Sequence, residues 1–165
     1  MPASSTDAKR PGEVALPFDP ADRAEASLTF IGRIRSPWSK GEGPKNVRTA
    51  REMGCDAWIE LDPAYAAGLT GINVGQAIQL IYWVDRGTRD LIVQTPGHAD
   101  GPRGVFALRS PVRPNPIALS TVLITSIDGA RIGIDATDAW DGTPVLDIKP
   151  WIETIDAPPH WRETS

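Results

Sequence analysis

Two short segments carry most of the residues that could do chemistry. The first is Arg109-Ser110-Pro111-Val112-Arg113-Pro114-Asn115-Pro116-Ile117-Ala118-Leu119-Ser120. Its prolines fix φ repeatedly, and each biases the residue before it toward an extended backbone. Such a loop loses little entropy on closing over a ligand, and it presents Arg109, Arg113 and Asn115 in nearly fixed directions. A stiff crossover between two strands is the simpler account of the same composition. The second segment is Asp138-Ala139-Trp140-Asp141-Gly142-Thr143-Pro144-Val145-Leu146-Asp147-Ile148-Lys149-Pro150. Its carboxylates flank a Gly turn, with an indole between Asp138 and Asp141. A cationic sulfonium ligand would be attracted by those carboxylates and by an aromatic face, and carboxylates also accept hydrogen bonds from ribose hydroxyls. An Asx-type turn followed by a hairpin explains the segment equally well. Asp147 and Lys149 fall on one face of a strand, where a surface ion pair is a weak argument for stability.

Other reactive residues are sparse. His98 and His160 are the only histidines, and no HxxxH or HxH spacing exists, so no metal site is expected. A Ser-His-Asp arrangement with His98 as base lacks a GxSxG elbow. Cys55 stands alone, which excludes an intramolecular disulfide, and it reads as a passive residue near a strand start. Arg33, Arg35, Lys40, Lys45, Arg48 and Arg51 lie close in sequence and, with Arg86, Arg89 and Arg103, could form a phosphate-binding rim. A solvated charged face is the commoner meaning of such a run.

The elements that must position these residues are mostly strands. Met1 to about Ala26 is polar, Ala/Pro-rich and aperiodic, and reads as a loose leader (1–26). Alternation begins at Leu28 and runs to Ile34, and Ser36-Pro37-Trp38 breaks it. Asn46 to Glu52 suits a helical turn. Ala57–Leu61 is a strand, and Asp62-Pro63 caps and starts a short helix through Leu69. Ala77 to Val84 is almost continuously apolar and predicts a strand buried on both faces, with Trp83 in the core. Asp85-Arg86-Gly87 turns the chain into Leu91–Gln94, an expected antiparallel hairpin partner. Gly104–Arg109 reads as another strand. Ile117 to Ile127 is the longest β-branched stretch, Asp128-Gly129 is a hairpin turn signal into Arg131–Ala136, and Pro144–Lys149 alternates cleanly. These elements predict a mainly β domain over 27–157, with a flexible tail at 158–165. The expected fold is a compact β-barrel of about seven or eight short, mostly antiparallel strands with one or two short helices. No strand-helix alternation, GxGxxG or GxxxxGK is present, which argues against Rossmann and P-loop architectures.

Bulk properties narrow the setting. At 165 residues the chain suits one domain with a real core. The net charge of -4 means that any RNA contact must come from a local basic patch, since phosphate neutralisation supplies most such affinity. No apolar stretch approaches the ~20 residues of a membrane span, and Met1–Asp22 lacks a signal peptide's apolar core. A cytoplasmic protein without membrane partners is expected.

Taken in order, Ile31-Gly32-Arg33-Ile34-Arg35-Ser36-Pro37-Trp38, Leu80-Ile81-Tyr82-Trp83, Gly104-Val105-Phe106-Ala107-Leu108-Arg109-Ser110-Pro111, Arg113-Pro114-Asn115-Pro116-Ile117 and Asp141–Pro150 resemble the TrmO family, also called YaeB-like or TsaA-like proteins. The resemblance covers roughly Leu28 to Trp151. It implies a small β-barrel that binds S-adenosyl-L-methionine and works as a homodimer. It also implies methylation of N6 of the threonylcarbamoyl-modified adenosine next to the tRNA anticodon. Family cofactor positions fall on Lys45, Asn46, Asp85, Arg86, Arg109, Leu119, Asp135, Ala136, Thr137 and Asp138. Pro44-Lys45-Asn46-Val47-Arg48 departs from a Pro-Arg-Gln-Pro-Gly pattern, Asp85 stands where many members have His, and Ala118 where many have Gly. The sequence ends soon after Trp151-Ile152, so the additional C-terminal domain of longer relatives is expected to be absent.

The methyl group of a sulfonium is already activated, so the protein's task is alignment and exclusion of water. A urea-like N6 must lose its proton during or after attack, and a nearby carboxylate suffices as base. Asp138 and Asp141 are the candidates, each with ribose binding as its other reading. Arg113, Asn115 and Arg48 are the candidate substrate contacts. Two rival readings remain: methylation of another small-molecule or RNA acceptor, and a non-catalytic dimeric module that binds the cofactor. The sequence reading requires the arginine-bearing loop and the acidic turn to form one cleft.

Overall fold

Alternation of inward apolar and outward polar residues builds the larger part of the molecule. The computed structural model describes residues 10–84, 86–97 and 99–159. Its strands are β1 (Val14–Ala15), β2 (Gly32–Arg35), β3 (Ala57–Leu61), β4 (Ala77–Trp83), β5 (Leu91–Gln94), β6 (Arg103–Gly104), β7 (Ile117–Asp128), β8 (Arg131–Ile134) and β9 (Pro144–Pro150). Two short α-helices, α1 (Val47–Met53) and α2 (Glu153–Asp156), and 3-10 turns at Pro20–Arg23, Pro63–Leu69 and Val105–Ala107 complete it. The chain divides into two compact units: 1–27 with 84–117, and 28–83 with 118–165.

In the larger unit six strands pair in the order β2-β3-β8-β7-β4-β9, and β9 returns to β2 to close a barrel. Every pairing for which the register is known is antiparallel. Ala57, Ile59 and Leu61 of β3, Ile78, Leu80 and Tyr82 of β4, and Val122 and Ile124 of β7 are buried. With Ile34, Ile132, Ile134 and Val145 they fill the interior. Each such aliphatic side chain contributes about 1.5–3 kcal/mol on burial, so this closed core is the main source of the unit's stability.

Two glycines serve close approach. A Cβ on Gly32 would stand 2.4 Å from the Glu60 carbonyl oxygen, where β2 meets β3. A Cβ on Gly133 would stand 2.3 Å from Ser126 Oγ, beside the register shift between Ile124 and Ser126 on β7. The Asp128-Gly129 signal is realised as a tight β7–β8 connection with Gly129 at φ 57°, a conformation that suits glycine. Asp62 Oδ1 accepts from the Ala64 N–H at 2.9 Å and starts the Pro63–Leu69 turn as expected, though with 3-10 geometry.

The smaller unit holds a three-stranded sheet in the order β1-β5-β6. Val14 pairs with Val93, so part of the segment expected to be a loose leader is a strand. Asp19 caps the Pro20–Arg23 turn, and the Arg23 guanidinium lies 3.5 Å from the Phe18 ring centroid.

Several expectations are corrected. Six strands, and not seven or eight, form the barrel; the remaining three make the separate sheet. Alternation from Leu28 suggested an earlier start for β2, but Leu28 and Phe30 are 53% and 44% exposed and only Gly32–Arg35 is strand. β4 is not buried on both faces: Ile78, Leu80 and Tyr82 point inward, while Ala77, Gln79, Ile81 and Trp83 are half-buried. Trp83 packs a tilted ring against Phe30 at 6.5 Å in place of entering the core. β5 does not form a hairpin with β4; it pairs with β1 and β6, and β4 takes β9 as a partner. Of Gly104–Arg109 only Gly104 is strand, at the end of β6, and Val105–Ala107 is a 3-10 turn, because Arg113 gathers the carbonyls of that segment, as described below.

Candidate functional site

The chain between β8 and β9 is held in place by residues that follow β2. Ser36 Oγ donates to the Ala139 carbonyl at 2.7 Å, and the Trp38 indole N–H donates to the Thr137 carbonyl at 2.7 Å. The Asp141 N–H donates to the Trp38 carbonyl at 2.9 Å, and the Gly142 N–H to that of Ile34 at 2.8 Å. Thr137 Oγ1 accepts from the Ala139 N–H at 3.1 Å, a hydroxyl-closed turn. Ala136, Thr137 and Ala139 are buried. The acidic segment is therefore a fixed wall and not a projecting hairpin.

The loop carrying Lys45 and Asn46 lies against that wall. A Cβ on Gly43 would meet Trp140 Nε1 at 3.4 Å and Trp38 Cβ at 3.5 Å, so the loop backbone passes close to the Trp140 indole and to the base of the Trp38 side chain. Asn46 Oδ1 accepts from the Thr49 N–H at 2.9 Å and caps α1, which fixes the end of the loop. From α1, the Arg51 guanidinium reaches Asp135 Oδ2 at 2.5 Å and the Thr121 carbonyl at 3.4 Å. Lys45, Asn46 and Arg48 are exposed, and Leu119, on β7, is 39% exposed. The larger unit thus brings Gly43 beside Trp38 and Trp140, and ties α1, capped by Asn46, to Asp135 through Arg51.

The carboxylates of this wall are chemically unequal. Asp135 Oδ1 accepts from the Leu123 N–H at 2.7 Å while Oδ2 holds Arg51. Asp141 Oδ1 accepts from the Ser36 N–H at 3.2 Å while Oδ2 holds Arg35 at 3.3 Å. Both carboxylates spend their two oxygens on the fold. Asp138 is half-buried, and its Oδ1 accepts from the Tyr82 hydroxyl at 3.3 Å. Its Oδ2 accepts no hydrogen bond from the described residues. Of the two candidate bases, Asp141 is occupied in closing β2 against β9, and Asp138 keeps an oxygen available.

The proline loop belongs to the smaller unit. Arg89 Nε donates to the Pro114 carbonyl at 2.7 Å, and Gln94 Nε2 to that of Val112 at 2.5 Å. Ser110 Oγ donates to Gln94 Oε1 at 2.9 Å. The Arg113 guanidinium turns inward and donates to the carbonyls of Val105, Leu108 and Ser110, each at 3.3 Å. Arg113, expected to meet a substrate, is thus committed to bracing its own loop. Arg86, Arg109 and Asn115 are exposed. Asp85 and His98 lie outside the described residues.

The basic stretch is also largely committed. Arg33 donates to the Gly142 carbonyl at 2.8 Å, Arg35 pairs with Glu60 at 2.9 Å, and Arg48 with Glu52 at 3.0 Å. With Arg51 on Asp135, four of the arginines expected at a phosphate-binding rim are paired within the fold. Lys149 pairs with Asp147 at 2.7 Å, the surface ion pair that the strand spacing implied. Among the described residues no group of His, Cys, Asp and Glu is arranged to hold a metal ion, and no helix is long and apolar enough to cross a membrane.

Tyr82 and Ser120 were missed as site residues. Each is a polar side chain inside an apolar strand pattern, and each lies in a segment singled out for other reasons, Leu80–Trp83 and Arg109–Ser120.

Comparison with known proteins agrees with the motif order. The model of the tRNA-methyltransferase O N-terminal domain family matches residues 33–157. The chain is 38% identical over 138 residues to VirR of Rhizobium radiobacter, named a probable S-adenosyl-L-methionine-binding protein, covering 83% of this chain and 75% of that one. It is 36% identical over 130 residues to an S-adenosyl-L-methionine-binding protein of Archaeoglobus fulgidus, covering 78% of this chain and 91% of the relative. The crystal structure of TrmO from Pseudomonas aeruginosa superposes with a TM-score of 0.63 at 28% identity, covering 82% of this chain and 60% of that one. The chain spans about three fifths of that crystallised protein.

Proposed function

We propose, from the premise that this chain belongs to the tRNA-methyltransferase O N-terminal domain family, that it binds S-adenosyl-L-methionine in its barrel unit and is a methyltransferase. The acceptor we propose is N6 of threonylcarbamoyladenosine next to the tRNA anticodon. One observation carries the reading: Asp138 alone among Asp135, Asp138 and Asp141 keeps a carboxylate oxygen unengaged by the described residues, in a segment that the Trp38 indole fixes through the adjacent Thr137 carbonyl. The donor set fits the cofactor, since a carboxylate and aromatic faces both attract a sulfonium, and a carboxylate accepts from ribose hydroxyls.

When bound, the cofactor supplies an activated methyl group whose bond to sulfur breaks with both electrons going to sulfur. Trp38 and Trp140 exclude water from the approach and present polarisable faces to the cation. Lys45 and Asn46 approach the cofactor from the exposed loop before α1, with Asn46 fixed by its capping bond. The acceptor nitrogen forms the new bond with its lone pair, and its N–H proton passes to Asp138 Oδ2. Calorimetry with S-adenosyl-L-methionine, followed by transfer of labelled methyl to total tRNA, tests the proposal. Absence of binding would overturn it.

A second reading has its own observation. With Arg33, Arg35, Arg48 and Arg51 paired internally and a net charge of -4, a smaller acceptor than tRNA fits this surface. Binding without label in RNA, together with transfer to a free nucleoside, favours it. Binding without transfer to either favours a cofactor-binding module. We further propose a homodimer. The outward side chains Leu119 and Leu123 of β7, on either side of exposed Thr121, are 39% and 47% exposed, a face that a second copy would cover.

A further inference from the structure

The inward rows of β4 and β7 are apolar except at one level. Along β4 they read Ile78, Leu80, Tyr82, and along β7 Ser120, Val122, Ile124. Tyr82 and Ser120 are 5% and 6% exposed, and their hydroxyl oxygens lie 2.9 Å apart. Phenylalanine and alanine would fill these positions without any polar atom to satisfy, so the hydroxyls need a reason. Asp138 supplies one. The Tyr82 hydroxyl donates its single proton to Asp138 Oδ1 at 3.3 Å, so the 2.9 Å contact is made by the Ser120 hydroxyl donating to the Tyr82 oxygen. The result is a directed chain from Ser120 through Tyr82 to Asp138.

We propose that Tyr82 and Ser120 are positioning residues that hold the Asp138 carboxylate in one orientation, with Oδ2 as its working oxygen. The inference rests on the reading of Asp138 as the proton acceptor in methyl transfer. Two successive hydroxyl donors polarise each other, so the bond to Oδ1 is stronger when Ser120 is present than when Tyr82 acts alone. Both hydroxyls sit on strands of the closed barrel, which makes the orientation a property of the core and not of a loop. Neither residue reaches the acceptor; they act through the carboxylate.

The test uses the intact protein with labelled S-adenosyl-L-methionine and tRNA, or whichever nucleoside acceptor the wild type methylates. Tyr82→Phe keeps the ring and removes the donor; single-turnover transfer falls about 10- to 100-fold, the usual cost of a misplaced reacting group. Cofactor affinity by calorimetry stays within about twofold. Ser120→Ala lowers the rate less, and Tyr82→Phe/Ser120→Ala matches Tyr82→Phe alone, because the two act in series. Ser120→Thr restores the hydroxyl and the rate, and decides the matter if Tyr82→Phe fails to fold. Wild-type rates in folded Tyr82→Phe, or rate losses that track lost cofactor affinity, overturn the positioning role. A wild-type protein that binds cofactor and methylates nothing overturns the parent reading instead, and the inference with it.

Discussion

Asp135 is the residue whose removal separates a structural carboxylate from a ligand-binding one. Its Oδ1 accepts from the Leu123 N–H at 2.7 Å and its Oδ2 from Arg51 Nε at 2.5 Å, with side-chain exposures of 16% for Asp135 and 45% for Arg51. A charge-assisted hydrogen bond to a backbone N–H contributes about 1.5–3 kcal/mol. The ion pair, half in solvent on the arginine side, adds no more than about 1 kcal/mol. Asp135→Ala should therefore cost about 3 kcal/mol, Arg51→Ala about 1 kcal/mol, and Asp135→Asn, which retains an acceptor for Leu123, about 1 kcal/mol. For a chain of this size, differential scanning calorimetry should show Asp135→Ala melting about 6–12 °C below wild type, and the other two about 2–4 °C below. Since both oxygens are engaged by the fold, Asp135→Asn should bind S-adenosyl-L-methionine within about threefold of wild type. Equal losses for Asp135→Ala and Arg51→Ala would refute the assignment of the main contribution to the Leu123 bond. A large loss of cofactor affinity in Asp135→Asn would refute the division of labour among the carboxylates.

Other perturbations read other parts of the molecule. Asp138→Asn should keep the bond from Tyr82 yet lower methyl transfer by about 100-fold or more, measured in single turnover. Gly32→Ala drives a methyl group into the Glu60 carbonyl, 2.4 Å from the ideal Cβ; a loss of about 3 kcal/mol in urea denaturation is expected, and a neutral result would contradict the close β2–β3 approach. Trp38→Phe removes the bond to the Thr137 carbonyl and should cost about 1–3 kcal/mol by the same measurement, because a buried acceptor loses its donor. Leu123→Glu should leave the protein monomeric in analytical ultracentrifugation at concentrations where wild type is dimeric; an unchanged dimer places its interface elsewhere.

Sequence periodicity located the barrel strands well where one face is core and the other is solvent. Ala57–Leu61 matched to the residue, and the β7–β8 hairpin was legible from Asp128-Gly129, because a tight turn demands a backbone that few residues accept. Ala77–Trp83 was located correctly, but its burial was overstated: outward Ile81 and Trp83 are merely half-covered, and an apolar letter cannot distinguish the two states. Partner choice was less legible still. Leu91–Gln94 follows β4 closely in the chain, yet its partners are β1 and β6, and no local signal encodes that. Within the candidate site, the acidic segment stood out by composition. The inequality of Asp135, Asp138 and Asp141 did not, since it depends on donors from Ser36, Arg51 and Tyr82, all distant in sequence.

The ladder between β4 and β7 has a consequence for how this scaffold can change. Gly75 and Gln76 exchange backbone bonds with Ile124, and the two strands are neighbours in the barrel. Everything from Val84 to Ile117 is an excursion launched from one strand and received by its neighbour. Chain-closure entropy grows only logarithmically, about 0.6 kcal/mol for each doubling of length. Lengthening the loops of that excursion should therefore leave the β4–β7 pairing nearly untouched, whereas trimming away β5 would strip β1 of its partner.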